Sequence, residues 1–146
     1  MSKPVSALDV ASYILNVRGE MSAMKLQKLV YYSQAWSLVW DDEPIFSEEI
    51  QAWREGPVVK VLWDKHKGKF QVGRGDIPGD AEKLNKEQRK TVDSVVRTYG
   101  EYDGLTLSKM SHDESPWKQA RLGLDDGESS SAPITHESMK AFYSSL

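Results

Sequence analysis

Met24-Lys-Leu-Gln-Lys-Leu-Val-Tyr-Tyr-Ser-Gln-Ala-Trp-Ser-Leu-Val-Trp40 is the stretch on which the fold turns. Wound at about 100° per residue, its large apolar side chains point almost everywhere. Leu26, Leu29 and Val30 fill one side; Tyr31, Tyr32, Ala35, Leu38 and Val39 fill the other. A helix that is apolar nearly all round is a buried one, so the spacing predicts a central helix over about 24–40, opened by Ser22 as its N-cap. Gln27 and Gln34 share its one narrow polar strip. Buried amides are hydrogen-bonded, which predicts that both hold a neighbouring stretch of backbone.

The chain on either side reads as elements wrapped on that helix. Before it, Ser6 caps an amphipathic helix through Leu8, Ala11, Ile14, Leu15 and Val17 that Gly19 stops. After it, Asp41-Asp42-Glu43-Pro44 ends the helix, because proline cannot continue it. Alternation then predicts a short strand pair, Ile45-Phe46 with Ile50–Trp53. Arg54-Glu55-Gly56-Pro57 reads as a turn, with Pro57 opening a helix from Val58 to Lys67 that buries Val58, Val61, Leu62 and Trp63. Residues 68–80, with four glycines and Pro78, read as an exposed loop. Gly73-Arg74-Gly75-Asp76 lacks the glycine spacing and the Lys-Ser/Thr of a phosphate-binding loop. Asn85 and Gln88 make a capping box for a helix over Lys86–Tyr99, with Val92, Val95, Val96 and Tyr99 inward.

Beyond it, a short helix over Leu105–Ser111 has Leu105 and Met110 inward, then breaks at His112-Asp113-Glu114-Ser115-Pro116. A second short helix runs to about Leu122, Asp125–Pro133 is a polar surface loop, and Thr135 caps a last helix that buries Met139, Phe142 and Tyr143. The expectation is a mainly α, compact helical domain around one buried central helix, with a small two-stranded β element near 45–53. The 146 residues suit a single domain over 1–146.

Charge and composition narrow the function. The 19 Lys plus Arg stand against 22 Asp plus Glu, a net charge of −3. Residues 1–110 carry 16 acidic and 16 basic side chains, so the excess lies in the C-terminal quarter. Lys60–Lys90 holds nine cations, but five carboxylates dilute them and the isoelectric point is about 5.6. That reads as a solvated face rather than a nucleic-acid surface, and an acidic domain points to a protein partner, a basic one in particular. There is no cysteine, which excludes disulfides, thiolate nucleophiles and cysteine-ligated metal. Apolar runs such as Leu38-Val39-Trp40 are far short of a membrane span, and Met1-Ser-Lys-Pro-Val-Ser6 has no apolar core for a signal peptide. A soluble cytoplasmic protein is the expectation.

Catalytic chemistry has one foothold, His112-Asp113-Glu114. His66, His112 and His136 include no i, i+4 pair for a metalloprotease. Ser111 or Ser115 with His112 and Asp113 would make a hydrolase only if folding assembled a triad. The alternative is that His112 and Asp113 satisfy backbone groups at the helix break and set how Trp117 enters the core. The five tryptophans (Trp36, Trp40, Trp53, Trp63, Trp117) are expected mainly in packing, with a minority left for a partner.

Four segments in order resemble one family. They are Lys25-Leu-Gln-Lys-Leu-Val-Tyr-Tyr-Ser-Gln-Ala-Trp36; Pro44-Ile-Phe with Glu49-Ile-Gln-Ala-Trp53 and Gly56-Pro-Val58; His112-Asp113 with Pro116-Trp117; and the helix over Ile134–Tyr143. Together they are similar to the Panacea or SocA-like antitoxin domain, which also occurs in phage-associated GepA-like proteins, and the likeness runs over essentially the whole chain. The resemblance implies a helical domain with no catalytic residues, no cofactor and no metal. It implies as partner a cognate toxin from an adjacent gene, neutralised by direct binding or by delivery to an ATP-dependent protease. It implies that Gln27, Tyr31, Gln34, Trp53, Gly56, Pro57, His112, Pro116 and Trp117 define the fold rather than one partner's surface. Some members carry a DNA-binding segment, for which five residues before the first cap leave no room. The other readings are a phage or prophage accessory protein that binds a host or defence factor, and the small hydrolase centred on His112 and Asp113. The loops at 68–80 and 123–133, with exposed residues near Trp40 to Trp53, are the expected contact surfaces.

Overall fold

The computed structural model describes residues 4–125 and 127–146. Met1, Ser2 and Lys3, the start of the segment read above for a leader, and Asp126 of the polar loop lie outside them. In chain order the elements are α1 (Ala7–Arg18), β1 (Met21–Ser22), α2 (Ala23–Trp40), β2 (Ile50–Trp53), β3 (Gly56–Val59), α3 (Lys60–His66), β4 (Gln71–Val72), α4 (Lys86–Tyr99), α5 (Gly104–His112), α6 (Ser115–Ala120) and α7 (His136–Ser144). A 3₁₀ turn at Ala81–Lys83 precedes α4. The fold is mainly α, as the patterning predicts.

The core is built on α2. Thirteen of its 18 residues are buried, and α1, α3, α4, α5, α7 and β3 all pack on it. The helix begins where Ser22 Oγ accepts the Lys25 N–H at 3.1 Å. The other expected caps are also in place. Ser6 and Asp9 close a capping box on α1, Asn85 and Gln88 close one on α4, and Thr135 caps α7. Gly19 stops α1 at φ 89°, a left-handed conformation that glycine adopts without steric cost. Leu26, Leu29, Val30, Tyr31, Tyr32 and Ala35 of α2 meet Val10, Ile14, Val92, Val95, Leu107, Met139 and Tyr143 in one apolar cluster.

The β element differs from the expectation. Ile50–Trp53 pairs antiparallel with Gly56–Val59, not with Ile45-Phe46, and α3 begins only at Lys60. Arg54 and Glu55 form a two-residue connection, the commonest hairpin length. Pro57, read from sequence as opening a helix, sits inside β3 opposite Ala52. The Ala52 N–H points away from β3, to the Ala132 carbonyl at 2.8 Å. That pair therefore exchanges no ladder bond, and the missing proline N–H costs the sheet nothing. The far side of β2 is stitched to residues 132–134, with the Ile134 N–H donating to the Ile50 carbonyl at 2.8 Å. The end of the predicted surface loop is thus a third edge of this sheet.

Residues 68–80 are also more ordered by packing than an exposed loop would be. β4 pairs with β1, Met21 facing Val72 and Ser22 facing Gln71, and Val72 and Ile77 are buried. Gly79 lies so close to α1 that a Cβ there would stand 2.3 Å from the Leu8 carbonyl oxygen. On α5 the inward residue is Leu107, while Leu105 is 60% exposed. Val17 of α1, read as part of the buried stripe, is half exposed.

Candidate functional site

The nine residues singled out by sequence fall in three places, along α2, in the β2–β3 hairpin and at the break between α5 and α6. Most are held by contacts that the patterning could not specify.

On α2, two glutamines act as short stretches of sheet edge. Gln27 Oε1 accepts the Val59 N–H at 2.8 Å, and its Nε2 donates to the Val59 carbonyl at 3.1 Å. Gln34 Oε1 accepts from Ile45 N–H at 2.8 Å and Phe46 N–H at 3.3 Å, and its Nε2 donates to the Phe46 carbonyl at 2.7 Å. A primary amide carries a donor and an acceptor, which lets it satisfy one residue's N–H and C=O as a neighbouring strand would. Gln27 thereby closes the open edge of β3. Gln34 holds the extended Ile45-Phe46 that no strand pairs. His66 Nε2 lies 3.0 Å from Gln27 Nε2, and burial pushes this imidazole below its ordinary pKa, toward the neutral form.

Lys28, beside Gln27, is a residue that sequence reasoning passed over. It is fully buried, its Nζ donates to the Pro57 carbonyl at 3.0 Å, and burial pushes the amine down to about 8. Its stem runs under Gly56, where a Cβ would stand 3.1 Å from Lys28 Cε and 3.2 Å from Ser111 Oγ. Gly56 also has φ 121°, so two separate constraints hold that position to glycine. The signal was available: a cation inside a helix with no solvent face must bury its charge on an acceptor.

Tyr31 and Tyr32 lead to a half-buried carboxylate. The Tyr32 and Tyr143 hydroxyls each donate to Glu114 Oε1 at 2.8 Å, and Tyr31 and Tyr143 hydroxyls lie 3.0 Å apart. Burial raises the Glu114 pKa above the ordinary carboxyl range, and the two tyrosine hydrogen bonds partly oppose that rise. Glu114 therefore ties the α5–α6 break to α2 and α7. Its neighbour Asp113, the carboxylate favoured from sequence, is exposed.

At the break, His112 stacks on Trp117 with ring centroids 4.0 Å apart and planes 13° from parallel. Trp117 Nε1 donates to the Trp53 carbonyl at 2.7 Å, and the Arg121 guanidinium lies 4.9 Å from the Trp117 ring centroid. Arg121 reaches on to the Ala52 carbonyl at 2.9 Å. Pro116 stands buried in the first turn of α6. Trp53 of β2 sits edge-on to Trp63, their centroids 5.3 Å apart. Trp117 and Arg121 thus fasten the break to β2.

A triad is not assembled there. Ser111 Oγ donates to the Ser108 carbonyl at 3.0 Å. His112 Nε2 is buried and, among the described residues, has no hydrogen-bond partner. Among the described residues no cluster of three or more His, Asp or Glu could hold a metal ion. No helix of the described residues is long and apolar enough to cross a membrane.

Two of the open concavities on the described surface matter here. One, about 390 Å³, is lined by His112, Trp117, Arg121 and Leu124 among others. The larger, about 760 Å³, lies where the N-terminal ends of α2 and α5 meet, lined by Met24, Lys25, Lys69, Phe70, Asp103 and Leu105 with the neighbouring backbone.

Comparison with curated proteins finds no match to this chain, and comparison with solved structures finds none either. The family model for the antitoxin SocA-like, Panacea domain matches residues 26–118. That span runs from the first turn of α2 to α6 and contains all nine singled-out residues. It leaves out α1 and α7, so it is shorter than the whole-chain likeness expected from the motifs. With well over half of its length matched, this chain belongs to the SocA-like antitoxin family with the Panacea domain.

Proposed function

We propose that the chain is an antitoxin that acts as a single binding domain in the cytoplasm, neutralising a toxin encoded beside it by surface contact and without chemistry of its own. The observation that carries this reading is the family match over residues 26–118. The bonding of the singled-out residues supports a division of labour. The side-chain amides of Gln27 and Gln34 and the indole N–H of Trp117 are spent on backbone inside the domain. Such residues hold the scaffold, and specificity lies on the periphery. Partner contact then either occludes the toxin or presents it to an ATP-dependent protease. The same scaffold serves whether the gene sits in a chromosomal pair or beside phage genes. A stable complex buries roughly 1,200–2,000 Å² in total, and the described surface of 7668 Å² supplies half of that from one face.

Co-expression tests the proposal. The adjacent reading frame, induced alone, is expected to arrest growth, and induction of this chain is expected to restore it. A neighbouring product that is harmless alone, or equally toxic with this chain present, refutes the reading. Comparing toxin half-life with and without this chain in a protease-deficient host separates occlusion from delivery.

A further inference from the structure

We propose that the groove between the N-terminal ends of α2 and α5 is where the toxin docks, and that it receives a segment of the toxin in which apolar side chains are flanked by carboxylates. This rests on the antitoxin reading above and adds the place and the chemistry.

The first observation is where the exposed apolar surface lies. Nine large apolar side chains are exposed among the described residues, and three of them, Met24, Phe70 and Leu105, line this one groove. Tyr102, also exposed, stands three residues before Leu105. Phe70 is 79% and Leu105 is 60% exposed, and exposed apolar side chains that cluster mark an interaction site. A volume of about 760 Å³ lies in the range of concave sites that enclose a ligand group.

The second observation is that the backbone beneath these side chains is pinned. The Phe70 carbonyl accepts the Ala23 N–H at 2.8 Å, at the start of α2. Gly104 packs so tightly on Ser22 and Lys25 that an added Cβ would stand 2.9 Å from Ser22 Oγ. An aromatic ring left in water on a fixed backbone is a preorganised anchor, since little further freedom is lost when a partner covers it.

The third observation is charge. Residues 65–74, with Phe70 in their midst, hold Lys65, Lys67, Lys69 and Arg74 and no carboxylate, and all four are exposed. Lys69 lines the groove itself. The groove wall itself is balanced, Lys25 and Lys69 against Glu20 and Asp103, so the positive excess comes from Lys65, Lys67 and Arg74 on the flanking segment. The chain's overall charge of −3 favours a basic partner at long range. Within a Debye length of about 8 Å the rim selects the opposite sign for the segment that enters.

The test uses the purified full chain and the purified product of the adjacent frame. By titration calorimetry, Phe70→Ala and Leu105→Ser are each expected to weaken binding roughly tenfold or more. Trp40→Ala and Leu122→Ser, exposed on other faces, are expected to leave it within about threefold. Zero-length carbodiimide coupling is expected to join Lys69 to an Asp or Glu beside apolar residues of the partner, and rising salt is expected to weaken the complex. Melting temperatures of the variants guard against misfolding. If the wild type binds and restores growth but Phe70→Ala and Leu105→Ser bind as tightly, the groove is refuted and the antitoxin reading stands. If Lys69 couples nowhere on the partner, or a single-stranded RNA competes for the groove, the acidic-segment chemistry is refuted. If the wild type neither binds nor restores growth, both readings fall together.

Discussion

Replacing Gln34 with leucine removes the amide and leaves an apolar side chain one atom shorter. In the wild type that amide serves two N–H groups and one carbonyl, at 2.8, 3.3 and 2.7 Å, all buried. Leucine leaves them facing an apolar side chain with no route to water, because Ile45 and Phe46 are 5% and 2% exposed. Each orphaned buried group costs about 1–3 kcal/mol. Counting the two short bonds, and discounting the longer one, gives a loss of about 2–6 kcal/mol, which leucine's own apolar surface offsets only in part. At about 2–4 °C per kcal/mol for a chain of this size, the loss before that offset lowers the melting temperature by at least about 4 °C. Urea unfolding followed by tryptophan fluorescence and circular dichroism measures it, with Gln119→Leu on the exposed side of α6 as a control expected within about 0.5 kcal/mol. Gln34→Glu sharpens the test. A carboxylate still accepts from the two N–H groups but opposes the Phe46 carbonyl, so this variant is expected to be weak at neutral pH and to recover as acid supplies the missing proton. A Gln34→Leu protein as stable as the control would refute the claim that this amide holds the 45–46 segment.

Two further outcomes follow from the half-buried Glu114 and the close-packed glycine. Glu114 has a pKa raised by burial, so the folded state holds its proton more tightly than the unfolded one. Stability from this group is full below about pH 4.5, the ordinary glutamate value, and declines as pH rises through the folded value. Glu114→Gln is therefore expected to remove that decline, so that the variant gains on the wild type in urea melts as pH rises from 4.5 to 7; a constant difference would refute it. Gly56→Ala is expected to cost more than about 1 kcal/mol, because φ 121° and contacts at 3.1–3.3 Å with Lys28 and Ser111 both oppose a methyl group. Urea unfolding of that variant at the wild-type midpoint checks this.

If the groove at Phe70 takes the toxin, the architecture separates holding from gripping. The polar side chains of α2 and the α5–α6 break are turned onto backbone or onto one another, where they fix how β3, the 45–46 segment and α7 sit. The groove is built from the mouths of elements so fixed. A change at Gln27 or Glu114 is then felt by the partner only through stability, whereas a change at Phe70 or Leu105 is felt directly. Comparing growth rescue with melting temperature across the two sets distinguishes these effects.

Read as a string, the chain already specified its helices, because their causes are local. A side chain three residues from a free N–H can cap it, as Ser22, Asn85 and Thr135 do. A run apolar on every side, such as 24–40, has nowhere to go but inward. Even the pairing of Gln27 and Gln34 with backbone was foreseeable, since a buried amide demands a partner. Which backbone they meet was not, for Gln27 reaches Val59 across 32 residues and Tyr32 reaches Glu114 across 82. The same distance effect misplaced the β pair. Pro57 is a credible helix opener by its neighbours alone, and only the hairpin register, which sets it opposite Ala52 at a pair that exchanges no ladder bond, makes position 57 a place where no N–H is needed. Composition likewise summed the charge to −3, while tertiary packing decided which cations stand free beside an uncovered ring. Local sterics and burial are written in short windows of sequence; partner choice and surface juxtaposition depend on how distant segments meet, and that is settled only when the chain closes on itself.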